Sequence, residues 1–586
     1  MRWNLNKLYT SFQSNKFIDD FKRIDVLIKD FTQWCETAIE NDDNPTSKIE
    51  SYLNSSIEIG HLFSRLMSFC SLSMSVDSQN TEAMKYINRI QQKYSNLSKP
   101  NVQFQKWLSE LDNIDKILKS SDLIKDHSFA LQEIIRQASH LMSEKEEVLY
   151  AKLKNTGSSA WSNLQNKLTS ILTVDFEFKD KKEKLPLPVV RNFAFDPDED
   201  KRKTAYESEL NAYNKISESS AACLNSIKGE VVTMSKMRGF NSPLEMTLEN
   251  SRMKKETLDA MLEAIKEFLP TFRRFYKKKA DLLDCKNGLP FYNLFAPLGK
   301  TSSKYSVKEA REFIVDRFSS FSHKLADFAE NAFNNNWIDS EPRKGKRGGA
   351  FCANLHVIGE SRILANFTGN IKNVITLAHE LGHGYHGSVL AEESFLNSNY
   401  PMPLAETASI FCETIVNNAV LKTAEGQEKL ALMENYLTNC GQVIVDIFSR
   451  YLFETELFER RADTTLSVDE LKTIMMNAQK EAYGDGLDHD FLHPYMWLNK
   501  PHYYYSGSNF YNFPYAFGLL FAKGLYAIYL EDKSKFIDKY DLLLKETGKN
   551  TIENVAKFVG VDITDKKFWR NSLNLIKEDI DEFIKL

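Results

Sequence analysis

The sequence predicts a mainly α-helical protein that carries a small antiparallel sheet. Glycine and proline are scarce, at 23 and 15 residues in 586, whereas proteins built mostly from strands need many turns and therefore more of both. Apolar residues recur at three- and four-residue spacing over most of the chain, which is typical of amphipathic helices. After residue 347 the pattern changes to short segments rich in β-formers.

The first 170 residues or so predict helices that pack on one another. Their apolar spacing is clearest at Phe17, Phe21, Ile24, Ile28 and Phe31. Ser143 and Glu146 have the spacing of a capping box, which starts a helix. Thr173 to Phe178 alternates polar and apolar residues and predicts a strand or hairpin. Pro186 and Pro188 follow, and we place the main boundary near residue 195.

The second part, residues 196–586, begins with helical spacing to about residue 335. The spacing is seen at Leu258, Met261, Leu262, Ile265 and Phe268. Phe351 to His356 and Ser361 to Thr368 then predict the antiparallel sheet, broken by Gly359 and Gly369. Helical spacing returns up to the C-terminus.

Composition excludes several classes of function. The formal charge of -5 predicts no nucleic-acid partner and no anionic membrane surface, and the basic run 343–347 is interpreted as a solvated loop. Seven cysteines without a Cys-x-x-Cys pair indicate buried thiols in a reducing compartment. Because we find neither a signal-like N-terminus nor a long uncharged apolar stretch, we expect a cytoplasmic protein.

One short segment has the pattern of a metal site: His379-Glu380-Leu381-Gly382-His383. On a helix, His379 and His383 lie four residues apart on one face and can turn one nitrogen each onto the same ion. They would supply two of the three protein ligands of a catalytic zinc site, whose fourth position is left to water. Glu380 is placed to reach that water. The alternative is a helix with two core histidines.

The surroundings of this segment favour the metal. Apolar neighbours leave the helix almost no polar face, so the charge of Glu380 needs a partner such as a cation. Gly382, Gly384 and Gly387 each cost a helix about 1 kcal/mol relative to alanine. Such residues are expected where another part of the chain must approach the backbone closely.

His386 is excluded as the third ligand. A metzincin would need a glycine at this position and a histidine in place of Val389. His386 also lies about 10 Å along the helix axis from His379, which is too far for a shared ion. We interpret it as a core residue or as a hydrogen-bond partner of a ligand.

Glu406 is the better candidate for the third ligand. Pro401 and Pro403 end the preceding loop and place Glu406 in the first turns of a new helix, from which it can lean towards the histidines. Glu413 lies on the same face and could hydrogen-bond a liganding group.

Several separated segments together resemble the M3 family of zinc peptidases, in its oligoendopeptidase F branch, which is similar to thimet oligopeptidase. They are Leu377 to His383, Leu404 to Ser409, His493 to Trp497, Lys500 to Tyr504 and Phe510 to Gly518, with Ser139 to Ser143 near the N-terminus. The resemblance is strongest from about 345 to 530. The three segments between 493 and 518 form one block, and three blocks in the right order are more specific than the histidine motif alone.

The resemblance implies a two-lobed helical body with a deep central channel and one zinc ion per chain at its floor. It implies an oligoendopeptidase F-type N-terminal domain at about 110–180, within 1–195, and a catalytic domain over 196–586. The implied zinc ligands are His379, His383 and Glu406, with Glu380 as the catalytic base. His502, Tyr511 and Tyr515 match the family's residues that contact the substrate and its oxyanion, although the spacing after His502 leaves its individual role open.

The predicted function is hydrolysis of internal bonds in short peptides. The segment Arg362 to Phe367 could pair with an extended substrate as an added strand. Two alternatives remain open: a zinc carboxypeptidase on a similar helical body, and a peptide-binding scaffold without turnover. Two histidines and a carboxylate also tolerate cobalt or manganese. The oligomeric state cannot be read from the sequence.

Overall fold

The structure, a computed structural model, describes residues 1–300 and 304–586. As predicted, it is mainly helical, with two small sheets among the described residues. The first half contains α1 (Asn15–Ala38), α2 (Pro45–Val76), α3 (Thr81–Ser95), α4 (Ser98–Glu110), α5 (Ile114–Ile117), α6 (Asp122–Asp126), α7 (Ser128–Ala138), α8 (Glu144–Thr156), α9 (Ser158–Ile171), β1 (Thr173–Phe178), β2 (Lys181–Pro186), α10 (Leu187–Asn192), α11 (Glu199–Tyr213), α12 (Ser217–Met237), α13 (Pro243–Asn250) and α14 (Lys255–Leu282).

The second half is helical apart from one sheet. It contains α15 (Val307–Ser319), α16 (His323–Asn334), β3 (Ile338–Asp339), β4 (Phe351–Leu355), β5 (Glu360–Leu364), α17 (Ile371–Leu390), α18 (Thr407–Thr423), α19 (Gly426–Gly441), α20 (Ile447–Arg461), α21 (Val468–Tyr483), α22 (Met496–Asn499), α23 (Phe513–Glu531), α24 (Lys533–Glu546), α25 (Ile552–Lys557) and α26 (Lys566–Lys585).

The chain forms two compact units, each assembled from three segments. Among the described residues, unit 1 comprises 1–141, 304–419 and 528–561, and unit 2 comprises 142–300, 420–527 and 562–586. The boundary proposed near residue 195 falls within unit 2, at the short 3-10 turn Phe193–Phe195. A division of the chain at that point stays a prediction.

The local sequence signals lie where they were predicted. The apolar stripe of α1 is buried at Phe17, Phe21, Ile24, Ile28 and Phe31. Ser143 and Glu146 form the capping box of α8. Thr173–Phe178 is a strand, and it pairs antiparallel with β2 as a hairpin.

The sheet of unit 1 differs from the prediction because it is mixed. Strands β4 and β5 pair antiparallel as expected, but β3 pairs with β5 in parallel, with Ile338 opposite Ile363. A strand of two residues is too short to show an alternating pattern, so the sequence could not reveal β3.

The prediction that Arg362 to Phe367 adds a substrate strand is wrong. The strand order is β3-β5-β4, so β5 is central and hydrogen-bonded on both sides. The two edge strands are the short β3 and the longer β4, and the outer side of β4 pairs with no other strand in the described part of the chain. A peptide that extended this sheet on that side would have to pair with β4.

The basic run 343–347 is not simply a solvated loop. The side chain of Lys346 has no exposed surface, and its Nζ lies 2.7 Å from Oδ1 of the buried Asp339. The same nitrogen donates to the carbonyl oxygens of Asp339, Glu341 and Ala365, and Arg343 also pairs with Asp339. A buried carboxylate needs paired cations. Arg343 and Lys346 therefore hold the run 343–347 against Asp339, the last residue of β3.

Helix α23, Phe513–Glu531, is long and apolar enough by length and composition to span a membrane. Within the protein 72% of its apolar window is buried, which is typical of a core helix that is hydrophobic on all sides.

Helix α17 carries the histidine motif and packs unusually close to a neighbouring segment. Asn370 caps its N-terminus by accepting a hydrogen bond from the N–H of Asn373. A Cβ atom at Gly382 would lie 2.5 Å from the carbonyl oxygen of Ala408 and 2.6 Å from Cα of Ser409. The absence of a side chain at Gly382 therefore lets α17 approach the start of α18, as the glycine pattern predicted.

We expect Gly382→Ala to destabilise the protein by about 1–3 kcal/mol, because two backbone segments must separate to admit the methyl group. Helix propensity alone predicts the opposite, a gain of about 1 kcal/mol. The matched control is Gly348→Ala, at an exposed position where a Cβ meets nothing within 4 Å. Thermal and denaturant unfolding measure both variants, and equal stability of the two would contradict the close approach.

Candidate metal centre

The three predicted ligands come together in unit 1. One donor atom each from His379, His383 and Glu406 lies within 4.8 Å of the others. Oε2 of Glu406 is 3.3 Å from Nε2 of His379 and 3.4 Å from Nε2 of His383. The two imidazoles stand one turn apart on α17, as the spacing of four residues requires.

Glu406 reaches the histidines from a different position than predicted. It immediately precedes α18, after the 3-10 turn Met402–Leu404, and its carbonyl oxygen accepts from the N–H of Ile410. It therefore stands at the start of the helix and not inside the first turn. The close contact of Gly382 with residues 408 and 409 brings this start next to α17.

Neighbouring polar groups hold the cluster in place. Glu413 Oε2 lies 3.0 Å from Nδ1 of His379, which fixes the ring through the nitrogen that faces away from Glu406. The hydroxyl of Ser409 donates to Oε2 of Glu406 at 2.6 Å. The sequence suggested the contact of Glu413, but it gave no signal for Ser409, because that hydrogen bond depends on the conformation of the chain around Glu406.

The charges of the cluster favour a bound cation. Burial opposes a charge on His379, but the hydrogen bonds and negative charges of Glu406 and Glu413 raise its pKa to about 10. Burial likewise opposes a charge on Glu406, yet the two histidines and Ser409 lower its pKa to about 2. Burial, together with the charge of His379, lowers the pKa of His383 to about 4.

Two imidazole nitrogens and a carboxylate oxygen are the donor set of many catalytic zinc sites. The protonated ring of His379 supplies the positive charge that these carboxylates require. The residues therefore fit a divalent metal ion, which would take over that role.

Glu380 lies next to the cluster in sequence but is not part of the donor group. The residue is only 6% exposed. Burial raises its pKa to about 7, with a further rise from Glu406, whereas the charge of His379 and the backbone N–H of Cys352 on β4 act in the opposite direction. A carboxyl group with a pKa near neutrality can both accept and return a proton.

His386 is a core histidine, which agrees with its exclusion as a ligand. It is fully buried, its ring stacks on Tyr400 at 4.3 Å, and its Nε2 lies 2.9 Å from the hydroxyl of Thr547. Burial lowers its pKa to about 3, so the ring is neutral.

The other three predicted site residues lie together in unit 2. The hydroxyls of Tyr511 and Tyr515 are 3.0 Å apart, and the ring of His502 stacks near Tyr511 at 5.8 Å. Nδ2 of Asn512 donates to Nε2 of His502 at 2.7 Å, and Arg450 donates to the other end of the same amide. The sequence did not predict that Asn512 links His502 to Arg450 by these two hydrogen bonds. The bond from Asn512 makes Nε2 of His502 an acceptor, so the free proton of that ring is on Nδ1.

Sequence comparison relates this chain to known peptidases. The sequence model of peptidase family M3 matches residues 193–575, and that of oligopeptidase F matches residues 109–173. The oligoendopeptidase F homolog of Borreliella burgdorferi is 25% identical and aligns over 100% of this chain and 98% of its own length. Oligopeptidase PepF of Bacillus subtilis is 24% identical over 81% of this chain and 71% of its own.

Solved structures share the fold. A peptidase from Chlamydophila abortus superposes with a TM-score of 0.84 at 21% identity, covering 100% of this chain and 98% of that chain. Oligoendopeptidase F from Enterococcus faecium has a TM-score of 0.72 at 18% identity, covering 97% and 98%. Since the family M3 model spans more than half of the sequence, the chain belongs to peptidase family M3, in its oligopeptidase F branch, and is a metalloendopeptidase.

Proposed function

We propose that His379, His383 and Glu406 hold one zinc ion and that Glu380 is the general base in hydrolysis of internal bonds of short peptides. The observation that carries this proposal is the meeting of the three donor atoms within 4.8 Å, beside a buried carboxyl group whose pKa is about 7. When bound, zinc supplies Lewis acidity, which polarises a carbonyl group and makes water a stronger nucleophile at neutral pH.

Glu380 performs the proton transfers. At neutral pH a substantial fraction of this carboxyl group is ionised, so it can take a proton from the attacking water. The protonated carboxyl then donates to the nitrogen of the departing amine, which regenerates the carboxylate. The burial of Glu380 makes the second step possible, because an exposed glutamate with its ordinary pKa would be a poor acid there.

Strand β4 is the element proposed to hold the substrate backbone. Its outer side is an edge of the sheet, and the backbone N–H of Cys352 on this strand already interacts with Glu380. Backbone hydrogen bonds hold an extended peptide without demanding a particular sequence, which suits an enzyme that acts on varied short peptides. The assignment of His502, Tyr511 and Tyr515 to the substrate and its oxyanion stays a prediction.

A cytoplasmic location is also part of the proposal. The seven cysteines form no disulfide in the described part of the chain, and five of them are buried. Free buried thiols are typical of a reducing compartment.

The role of Glu380 is tested with Glu380→Gln and a peptide that is blocked at both termini. We expect the wild type to cut this peptide internally, and the variant to bind zinc normally while its kcat falls by about 10²–10⁴, because the amide cannot accept the proton. Zinc content and cleavage products are measured by metal analysis and mass spectrometry. A variant that retains the wild-type rate would exclude Glu380 as the base.

The matched control is Glu413→Gln, which changes a carboxylate that touches His379 but not the proposed base. Its zinc affinity should fall about 10–100-fold, with near-normal kcat at saturating zinc. Failure of the wild type to cut the blocked peptide, combined with cleavage of one that has a free C-terminus, would indicate a carboxypeptidase instead.

Binding of zinc to the metal-free protein should release protons. At pH 7 His379 is protonated, because its pKa is raised to about 10, and it must lose that proton to become a ligand. His383 and Glu406, with pKa values of about 4 and 2, are already deprotonated. We therefore expect release of about one proton from the ligands, with an additional fraction from Glu380.

Calorimetric titration with zinc in buffers of different ionisation enthalpy measures this release. Affinity should rise about tenfold per pH unit from pH 7 towards pH 10, since one ligand proton is displaced. A proton count of zero at pH 7 would contradict the placement of His379 between two carboxylates.

A further inference from the structure

Unit 2 contains a cavity whose lining includes none of the proposed catalytic or metal-binding residues. It encloses about 330 Å³ and is lined by residues of α10 and α11, the segment 291–295 and the segment 493–500. Much of its wall is aromatic, contributed by Phe195, Tyr206, Phe291, Tyr292 and Phe295. This volume is at the lower end of the range of small-ligand pockets, which is about 300–1,000 Å³.

The mouth of the cavity exposes an aromatic ring. Phe195 is 60% exposed, and its ring lies 5.0 Å from that of Phe295. The inner wall is closed by buried residues, among them Met496 and His493. A ligand could therefore enter past Phe195 and place an apolar body against the rings.

Most charged groups of the wall already have partners. Arg202 is buried and donates to Asn293 and to the carbonyl oxygens of residues 196 and 197. Arg191 pairs with Glu209 at 3.2 Å, and Tyr213 donates to the same carboxylate at 2.6 Å. These side chains already bind partners within the protein, so a ligand could bind them only by breaking one of those contacts.

Lys500 is different, because its ammonium group forms no hydrogen bond or ion pair with the residues that the structure describes. Burial and the positive charges of Arg450 and Arg191 lower the pKa of Lys500 to about 7, although the negative charges of Asp446 and Glu209 act in the opposite direction. A partly buried cation without a partner costs free energy that an anion in the cavity would recover. In the same wall, Nδ1 of the buried His493 also has no hydrogen-bond partner.

We propose that this cavity binds a small monocarboxylate with an apolar body, of the size of a hydrophobic amino acid derivative or a dipeptide, whose carboxylate pairs with Lys500. The ammonium group of Lys500, which is charged below about pH 7, matches a single negative charge. A dianion such as a phosphate monoester fits less well, because Glu209 lies in the same wall and would repel the second charge. The proposal goes beyond the peptidase reaction and does not depend on the metal.

The test is calorimetric titration of the zinc-loaded enzyme with N-acetyl-L-phenylalanine, compared with its neutral amide and with phenyl phosphate. We expect the acid to bind about tenfold or more tightly than either comparison compound. Lys500→Met should weaken binding of the acid about tenfold or more, and Lys500→Arg should restore most of it. Phe195→Ala, at an exposed position that the fold tolerates, should weaken it about threefold or more.

Repeating the titration on metal-stripped protein separates the cavity from the zinc site. Binding that persists without metal and is lost in Lys500→Met supports the cavity, whether or not the enzyme cleaves peptides. Binding that disappears with the metal, or that Lys500→Met leaves unchanged, would overturn the proposal, as would equal affinity for acid and amide. Unfolding curves confirm that each variant is folded before it is titrated.

Discussion

The site depends on the close approach of two backbone segments at Gly382. Helix α17 meets the start of α18 so closely that even a methyl group at this position would overlap the backbone of residues 408 and 409. This contact brings Glu406 within 3.3 and 3.4 Å of two imidazole nitrogens that are one helical turn apart. Two of the three donor residues are on the rigid helix α17 and the third directly precedes α18, and such rigid elements hold donor atoms more accurately than loops do.

The second constraint is the balance of charge. Glu380, Glu406 and Glu413 place three carboxyl groups around two imidazoles; Glu380 is buried and the other groups are partly buried. In the metal-free protein two effects reduce the net negative charge of this group. His379 holds a proton between two carboxylates, and burial raises the pKa of Glu380 to about 7. The same arrangement that favours a cation thus leaves the neighbouring carboxyl group suited to proton transfer.

The parts of the fold and site that could be predicted are those that depend on local spacing. The stripe of α1, the capping box of α8 and the pair His379 and His383 each follow from a helical repeat. Glu406 was expected in the first turns of its helix, and the structure places it one residue before that helix begins. For these elements the local preference and the final packing agree, which is expected of a natural sequence.

The errors concern pairings between distant segments, which a local pattern does not encode. Strand β3 has only two residues and pairs in parallel with β5, so neither the mixed sheet nor the central place of β5 could be read from alternation. Lys346 looked like part of a solvated basic loop, because its burial depends on Asp339, seven residues earlier on another element. The cavity beside Lys500 likewise draws its wall from five separate parts of the chain.

The central claim is that two imidazoles and Glu406 hold one metal ion. Anomalous diffraction at the zinc absorption edge, from crystals of the zinc-loaded protein, tests it directly. The account predicts a single strong peak per chain, about 2.0–2.2 Å from Nε2 of His379, Nε2 of His383 and a carboxylate oxygen of Glu406. A peak elsewhere, or one in contact with the histidines while Glu406 points away, would contradict it.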